Sequence, residues 1–163
     1  MPATVDIKAE ALEAILRRAA DRAGDLSPLM ALLADEWLER TQERMLRGEQ
    51  PDGRPQPPRS PVTIARYVAE GKRFGPPLIV TRDLQSQISA QSTPRSAEIG
   101  SNAIQAAVMQ FGARQGAFGR TARGGPIPWG DIPARPFIGM GEADEAALIL
   151  TAEEWLEATI GTT

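Results

Sequence analysis

The spacing of apolar residues predicts a helix near each end of the chain. Apolar positions that recur every three or four residues mark one buried face of a helix. Such a stripe extends from about Asp6 to Arg22, and Gly24 is suited to end the helix. The apolar members of this first stripe are Leu12, Ile15, Leu16 and Ala19. A closing helix is predicted from about Glu142 to Ala158. Its apolar members are Ala147, Leu148, Leu150, Trp155, Leu156 and Ile160.

A second N-terminal helix is predicted from its start and stop signals. Ser27 is expected to cap it, Pro28 suits its first turn, and Gly48 is suited to end it. Its apolar face consists of Met30, Leu33, Trp37, Thr41 and Met45. We expect Trp37 to anchor the core and charged residues, Arg44 among them, to cover the opposite, solvated face.

Prolines interrupt the chain after this helix. Residues 50–61 hold five of the fourteen prolines, so this segment is predicted to be extended and to lie outside helices and sheets. Ser60 and Pro61 repeat the cap-and-proline signal and predict a short helix over 62–70. A loop over 71–77 follows.

The next segment fits two local structures. Residues 84–92 predict either a turn of helix that brings Leu84 near Ile88, or a strand in which both face the same side. A turn at 92–96 and a returning strand over 97–100 would complete an antiparallel hairpin. The local pattern leaves these alternatives open.

A further short helix is predicted after the hairpin. Asn102 is suited to cap it, and Gly112 is suited to end it. Its predicted apolar face consists of Ile104, Ala107, Val108 and Phe111.

A long aperiodic loop separates this helix from the end of the chain. The 21 residues of 112–132 include six glycines, two prolines and three arginines. A loop of this length is usually functional, or is ordered only by a partner. We therefore expect it to be mobile and sensitive to proteases in the free subunit.

These elements predict an α+β fold within one domain of 163 residues. Because the connection at 23–27 is short, the first two helices are expected to form an antiparallel hairpin or one broken helix. The predicted units are a helical hairpin (1–48), a proline-rich connection with a short helix (49–77), a small sheet and helix (78–111), the long loop (112–132), and a strand with the closing helix (133–163).

Composition excludes several classes of chemistry. The chain has neither cysteine nor histidine, which excludes disulfides, thiolate metal sites and catalytic triads built on histidine. Carboxylates such as Glu153, Glu154 and Glu157 fit a solvated helix face. We predict no catalytic residue, no metal site and no cofactor. No apolar run is long enough to span a membrane and no secretion signal is evident, so cytoplasmic assembly without a membrane partner is expected.

The charges are segregated along the chain. The net charge is −4 over 1–53, +7 over 54–135 and −6 over 136–163, and sixteen of the eighteen basic residues are arginine. Two interpretations fit this pattern. The acidic ends neutralise the basic middle within one chain, or the basic surface contacts another subunit or DNA.

The long loop holds most of the candidate contact residues. Its arginines, together with Phe118, are similar to arginine–glycine tracts that bind nucleic acid. The pI near 5.1 argues against a dedicated nucleic-acid-binding protein, so a loop that contacts subunits is the other interpretation. The candidate contact residues are Arg114, Phe118, Arg120, Arg123, Trp129, Arg135 and Phe137. We expect Phe137 to enter the core and Arg135 to meet a carboxylate, in its own subunit or in a neighbour.

Four segments together resemble a known family. They are 51–63 (PDGRPQPPRSPVT), 78–88 (LIVTRDLQSQI), 98–112 (EIGSNAIQAAVMQFG) and 132–139 (IPARPFIG). In this order they resemble successive blocks of the phage virion morphogenesis family, which includes tail-completion proteins of Mu-like phages. The motif residues are Gln110, Phe111, Gly112, Pro133, Pro136 and Gly139. The chain departs from the family pattern at Gln56, Arg82 and Met109, where a tryptophan, a glycine and a histidine are usual.

The resemblance implies a structural role in the virion. Members of this family complete the tail or neck, enable head–tail joining and generally act as rings, often of six subunits. The expected partners are other copies of the chain and adjacent tail or neck proteins, with non-specific DNA contact in the ring lumen as a variant. The alternative function is a nucleic-acid-binding accessory protein that uses residues 112–130.

Overall fold

The computed structural model describes residues 9–160. In chain order, the elements are α1 (Glu10–Ala23), α2 (Ser27–Arg47), α3 (Pro61–Ala69), α4 (Asp83–Ser86), β1 (Ile88–Thr93), β2 (Ser96–Ser101), α5 (Ala106–Phe111) and α6 (Glu142–Ile160). This architecture confirms the predicted α+β class. The start predicted for the first helix, before Ala9, lies outside the described residues.

One hydrophobic cluster joins α1, the first half of α2, and α6. Ala19, Leu29 and Ala152 are fully buried in it, and Trp37 packs against it. α1 and α2 each pack closely against α6 but have little contact with each other. Both predicted N-terminal helices are present and contribute to this one cluster, and α6 supplies apolar surface that both of them bury.

A second cluster lies around the other end of α2 and the β-hairpin. It consists of Met45, Leu78, Ile79, Leu84, Ile88, Ala103 and Phe137. Both sequence interpretations of 84–92 are partly right, because α4 forms a single turn and β1 begins at Ile88. β1 and β2 pair in antiparallel register from Ile88–Ser101 to Thr93–Ser96, and both strands pack on α2.

The two predicted serine caps have different outcomes. The Ser60 hydroxyl accepts a hydrogen bond from the Thr63 amide at 3.2 Å, so the cap of α3 is confirmed. Ser27 instead lies inside α2 and donates through its hydroxyl to Asp25 Oδ1 at 2.7 Å. Asp25 also accepts from the Ser27 amide at 2.9 Å, but α2 has no side-chain cap, so the predicted serine cap is wrong.

The prediction for α5 is wrong at its start and on its face. The helix begins at Ala106 without a side-chain cap, so Asn102 does not cap it. Ile104 is 98% exposed and Phe111 is 56% exposed, whereas Gln110 is buried. A polar contact from Gln110 to a distant segment decides which face of α5 is buried. Gly112 ends the helix as predicted, with φ of +74° and its amide bonded to the Val108 carbonyl.

The long loop folds back on itself through backbone hydrogen bonds. Ala113 and Ile132 exchange both of their amide–carbonyl bonds at its base, at 2.9 and 2.7 Å. Further out, the Phe118 amide donates to Ile127, and the Thr121 amide donates to Gly125. These bonds run from the base of the loop to its outer turn, so the loop has an internal framework that its composition does not indicate, and its mobility in the free subunit stays a prediction.

The C-terminal part matches the predicted helix but not the predicted strand. α6 starts at Glu142 as expected, with Leu148 and Leu156 buried, although Leu150 is 56% exposed. Residues 133–139 form no strand. Hydrogen bonds from side chains of other elements hold the backbone of this segment, in the place of bonds from a neighbouring strand. No helix in the described range is long and apolar enough to cross a membrane.

Candidate functional site

A buried ion pair joins α2 to the start of α6. Arg44 Nη1 donates to Asp144 Oδ2 at 2.6 Å, and Arg40 Nε donates to Asp144 Oδ1 at 3.1 Å. Asp144 is 4% exposed and Arg44 is 5% exposed. The Asp144 carboxylate also accepts from the Gly141 amide, so it anchors the entry into α6. The prediction that Arg44 lies on a solvated face is wrong.

Arg44 also holds the segment that precedes α6. Its Nη2 group donates to the Gly139 and Phe137 carbonyls at 3.2 and 3.4 Å, and Trp37 Nε1 donates to the same Gly139 carbonyl. Burial lowers the pKa of Arg44, and the Asp144 carboxylate opposes that shift. The pair is charge-assisted and out of water, which makes each partner costly to remove alone.

Gln110 holds the same segment from the other side. Its Oε1 accepts from the Phe137 and Ile138 amides at 3.0 and 3.1 Å, and its Nε2 donates to the Ile138 carbonyl at 2.8 Å. The sequence predicts a strand at this segment, but one buried amide side chain supplies the backbone hydrogen bonds that a neighbouring strand would otherwise make. This gives the motif glutamine a structural role inside the subunit.

The remaining motif contacts also lie within the subunit. Gln56 Nε2 donates to the Pro136 carbonyl at 2.7 Å, and a Cβ on Gly139 would clash with Pro51. A Cβ on Gly112 would lie 2.6 Å from the Ile132 carbonyl oxygen. These positions fix the path of 132–139. Pro133 and Phe111 are exposed.

Arg135 and Phe137 both lie buried within the subunit. Phe137 is 1% exposed in the second cluster, as expected for a core residue. Arg135 donates through Nε and Nη2 to the Pro57 and Pro58 carbonyls at 2.7 Å each. Within the described residues, carbonyls of the proline-rich segment take the place of the predicted carboxylate, and a carboxylate from a neighbouring subunit stays a prediction. Neither side chain is placed for contact through the long loop.

The long loop presents the other five candidate residues on its surface. Phe118 and Trp129 are exposed, the latter by 75%. Arg114, Arg120 and Arg123 are also exposed, and none forms an ion pair with a described residue. Arg120 Nη1 donates to the Gly124 carbonyl at 2.9 Å, which orders the outer turn without neutralising the charge. The loop therefore combines free cations with exposed aromatic rings.

A cleft lies between α3, the segment before α4 and the base of the loop. Its volume is about 530 Å³. We call it the basic cleft, since its charged lining residues are Arg59, Arg66, Arg82, Asp83, Asp131 and Arg135. Burial lowers the pKa of Arg59, and burial together with repulsion from Arg59 lowers the pKa of Arg135.

Sequence reasoning missed the two buried charges and the cleft. A weak signal for Arg44 exists, since it follows Thr41 by three residues and Trp37 by seven, which places it on the apolar face of α2. No local signal distinguishes Asp144 from the other acidic residues in the first turn of α6. The cleft depends on contacts between distant segments. In residues 9–160, no group of three or more carboxylates is arranged to hold a metal ion.

Comparison with known proteins identifies relatives of phage origin. The sequence model of the phage virion morphogenesis family matches residues 7–157. A curated relative, Mu-like prophage FluMu G protein 2 of Haemophilus influenzae, is 32% identical over 88 residues. This alignment covers 54% of the chain and 57% of the relative, so the chain spans just over half of that protein's length. No solved structure matches the chain.

Proposed function

Since the chain belongs to the phage virion morphogenesis family, we propose that it is a structural subunit, without catalytic activity, that completes the tail or neck and enables head–tail joining. The observation that carries the proposal is the family match over 7–157. The architecture supports it, because the polar side chains of the motif blocks hold backbone within the subunit, while the exposed groups offer charge and apolar contact.

We infer that copies of the subunit assemble into a ring. Subunits of a ring meet through two different surfaces, one docking on the other around the circle. The segregation of charge into −4, +7 and −6 along the chain supplies two surfaces of opposite sign. A ring of about six copies, with contacts to adjacent tail or neck proteins, fits this requirement. Assembly in the host cytoplasm and residence in the virion are parts of the same proposal.

Electron microscopy of particles made without the chain tests the proposal. A phage or prophage that encodes it is induced with the gene deleted, and with the gene supplied again from a plasmid as the control. We expect separate heads and tails, few infectious particles, and recovery on complementation. Joined, infectious particles at normal numbers in the deletion would overturn the proposed function.

A second candidate function is DNA contact through the long loop. The observation that favours it is three exposed arginines, none of them ion-paired with a described residue, beside exposed Phe118 and Trp129. In a ring, this loop would line the lumen and touch passing DNA by charge and stacking, without sequence preference.

A salt titration of binding to duplex DNA tests the second candidate. Reversal of Arg114, Arg120 and Arg123 to glutamate should reduce the slope of log affinity against log salt by about 1 for each lost phosphate contact. A triple reversal at Arg17, Arg18 and Arg22 on α1 is the matched control. No DNA binding by the unmodified chain at low salt, or equal slopes for both variants, rejects this function.

A further inference from the structure

We propose that the basic cleft is the docking site for the acidic C-terminal half of α6 from a second copy of the chain. The proposal rests on the ring assembly of the proposed function and names the two surfaces that meet. The occupant is the exposed carboxylate face of Glu153, Glu154 and Glu157, with the exposed side chain of Leu150 beside it.

Three arginines of the basic cleft, Arg59, Arg82 and Arg135, form no ion pair with a carboxylate among the described residues. Arg59 donates to three backbone carbonyls, of Gly75, Pro76 and Ile79, at 2.6 to 2.9 Å. Arg135 uses Nε and Nη2 on carbonyls, which leaves its Nη1 group without an acceptor in residues 9–160. The structure thus holds two partly desolvated guanidinium groups close together without a counter-ion. Such a site favours an anion.

The two carboxylates of the cleft do not neutralise these arginines. The Asp83 carboxylate accepts from the Thr81 hydroxyl, and Asp131 Oδ1 accepts from the Gln115 amide at 2.8 Å. Both are therefore engaged with neutral donors. Arg66 approaches Glu70 only at 3.9 Å, with both side chains exposed, which is a weak interaction.

Arg82 adds an independent observation at the rim of the cleft. It has φ of +65°, the left-handed region that side chains other than glycine rarely adopt. No ion pair among the described residues offsets this strain. A strained residue at a site edge points to a role other than folding. The left-handed backbone at this position puts a fourth arginine at the opening of the basic cleft.

The end of α6 has the complementary properties. Residues 136–163 carry six acidic and no basic residues. Glu153, Glu154 and Glu157 are exposed and form no ion pair with any residue in the described range. Carboxylates near a helix C-terminus are unfavourable in an isolated helix, because they face the negative end of its dipole. A cationic partner would relieve this repulsion.

The two surfaces belong to different parts of the same subunit. The C-terminal half of α6 packs into the first cluster through Ala152 and Leu156, whereas the cleft is built over Leu78 and Leu84 of the second cluster. Docking of one surface on the other therefore joins two copies head to tail. Contacts of this kind close into a ring when the rotation between copies is suitable.

A charge-swap experiment on the full chain tests the docking. One variant carries Arg66→Glu and Arg82→Glu, and the other carries Glu154→Arg and Glu157→Arg. Association is measured by sedimentation velocity up to about 100 µM, well above the dissociation constants of stable assemblies. We expect the unmodified chain to associate, each variant alone to bind at least about tenfold more weakly, and an equimolar mixture to regain association. In the mixture, each cleft again meets an α6 of opposite charge.

The control variants change the same number of charges elsewhere. Arg18→Glu with Arg95→Glu matches the cleft variant, and Glu39→Arg with Glu98→Arg matches the helix variant, since all four side chains are exposed and outside the ion pairs. Both controls should associate like the unmodified chain. Unfolding curves of all variants show whether the subunit fold is retained.

Three results would overturn the proposal. They are a chain that stays monomeric at the highest concentration, a mixture that fails to associate, and cleft variants that lose binding to duplex DNA while self-association is unchanged. The last result would assign the cleft to phosphate groups. The deletion experiment reports separately on the proposed function, since unjoined particles combined with a failed charge swap would retain the virion role and reject only this interface.

Discussion

At the scale of single residues, Arg44 and Asp144 set the position of the segment before α6. Arg44 binds the Asp144 carboxylate and the carbonyls of Phe137 and Gly139. The pair therefore couples α2 to the segment that contains Phe137 and Gly139, and to α6. A buried pair of this kind is costly to break from one side, because the remaining charge is left without a partner.

Asp144→Ala should strongly destabilise the subunit. Loss of the carboxylate leaves Arg44 buried without its counter-charge, and we expect a loss of about 3–5 kcal/mol in the free energy of unfolding. Urea denaturation measures this change. Glu142→Ala, in the same first turn but exposed, is the control and should cost less than about 0.5 kcal/mol. A loss below about 1 kcal/mol for Asp144→Ala would contradict the role given to the pair.

Arg82→Gly should make the subunit more stable than Arg82→Ala does. Both changes remove the arginine side chain, but only glycine adopts φ of +65° without strain. The difference in the free energy of unfolding should be about 1 kcal/mol in favour of glycine. Under the docking proposal, both variants also weaken association. Equal stability of the two would show that the backbone at Arg82 is not strained.

The residues that sequence analysis found and missed differ in how far their partners lie along the chain. The stripe of α1 and the cap at Ser60 depend on neighbours within four residues, so the pattern predicts them. Arg44 and Gln110 find partners 100 and 27 residues away. No local pattern encodes such partners. The sequence shows an arginine at position 82, where the family usually has glycine. The positive φ of Arg82 explains why glycine is usual at this position.

At the scale of elements, the long loop shows what composition leaves out. Its glycines and its lack of periodicity predict a mobile segment, yet backbone hydrogen bonds join its two sides from Ala113–Ile132 outward. Glycine permits the tight turns that such folding back requires. The predicted presence of a long irregular loop was right, and its internal order could not be read from composition.

Hydrogen exchange should resolve the two parts of the loop. The amides of Ala113, Phe118, Ile127 and Ile132 donate to backbone carbonyls, so we expect them to exchange more slowly than the amides of Ala122 and Arg123 at the outer turn, for which no backbone acceptor is present among the described residues. Trypsin should accordingly cut first after Arg123. Uniformly fast exchange over 113–132 would show that the loop is disordered in the free subunit.

The helices also show where the apolar periodicity of the sequence is sufficient to predict an element. α1, α2 and α6 each begin or end within a few residues of the predicted positions, because a long apolar stripe is a strong signal. α5 is short, and two residues of its predicted apolar face are exposed, Ile104, which lies before the helix, and Phe111. A side chain that satisfies buried backbone, Gln110, outweighs the apolar pattern there.

At the scale of the whole molecule, charge segregation connects the fold to the proposed assembly. The acidic α6 packs in the first cluster, whereas the basic cleft is built over the second. Under the docking proposal, the carboxylates of α6 in one copy therefore neutralise the arginines of the cleft in another. The family could be recognised from the order of its sequence blocks, whereas the surfaces that would meet in an assembly required the structure.

The most direct measurement of the central claim is an electron cryomicroscopy difference map. Joined particles that contain the chain are compared with particles from a deletion of its gene. We predict a ring of about six copies at the head-proximal end of the tail, present only in the joined particles. Joined, infectious particles that contain no copy of the chain would contradict the account.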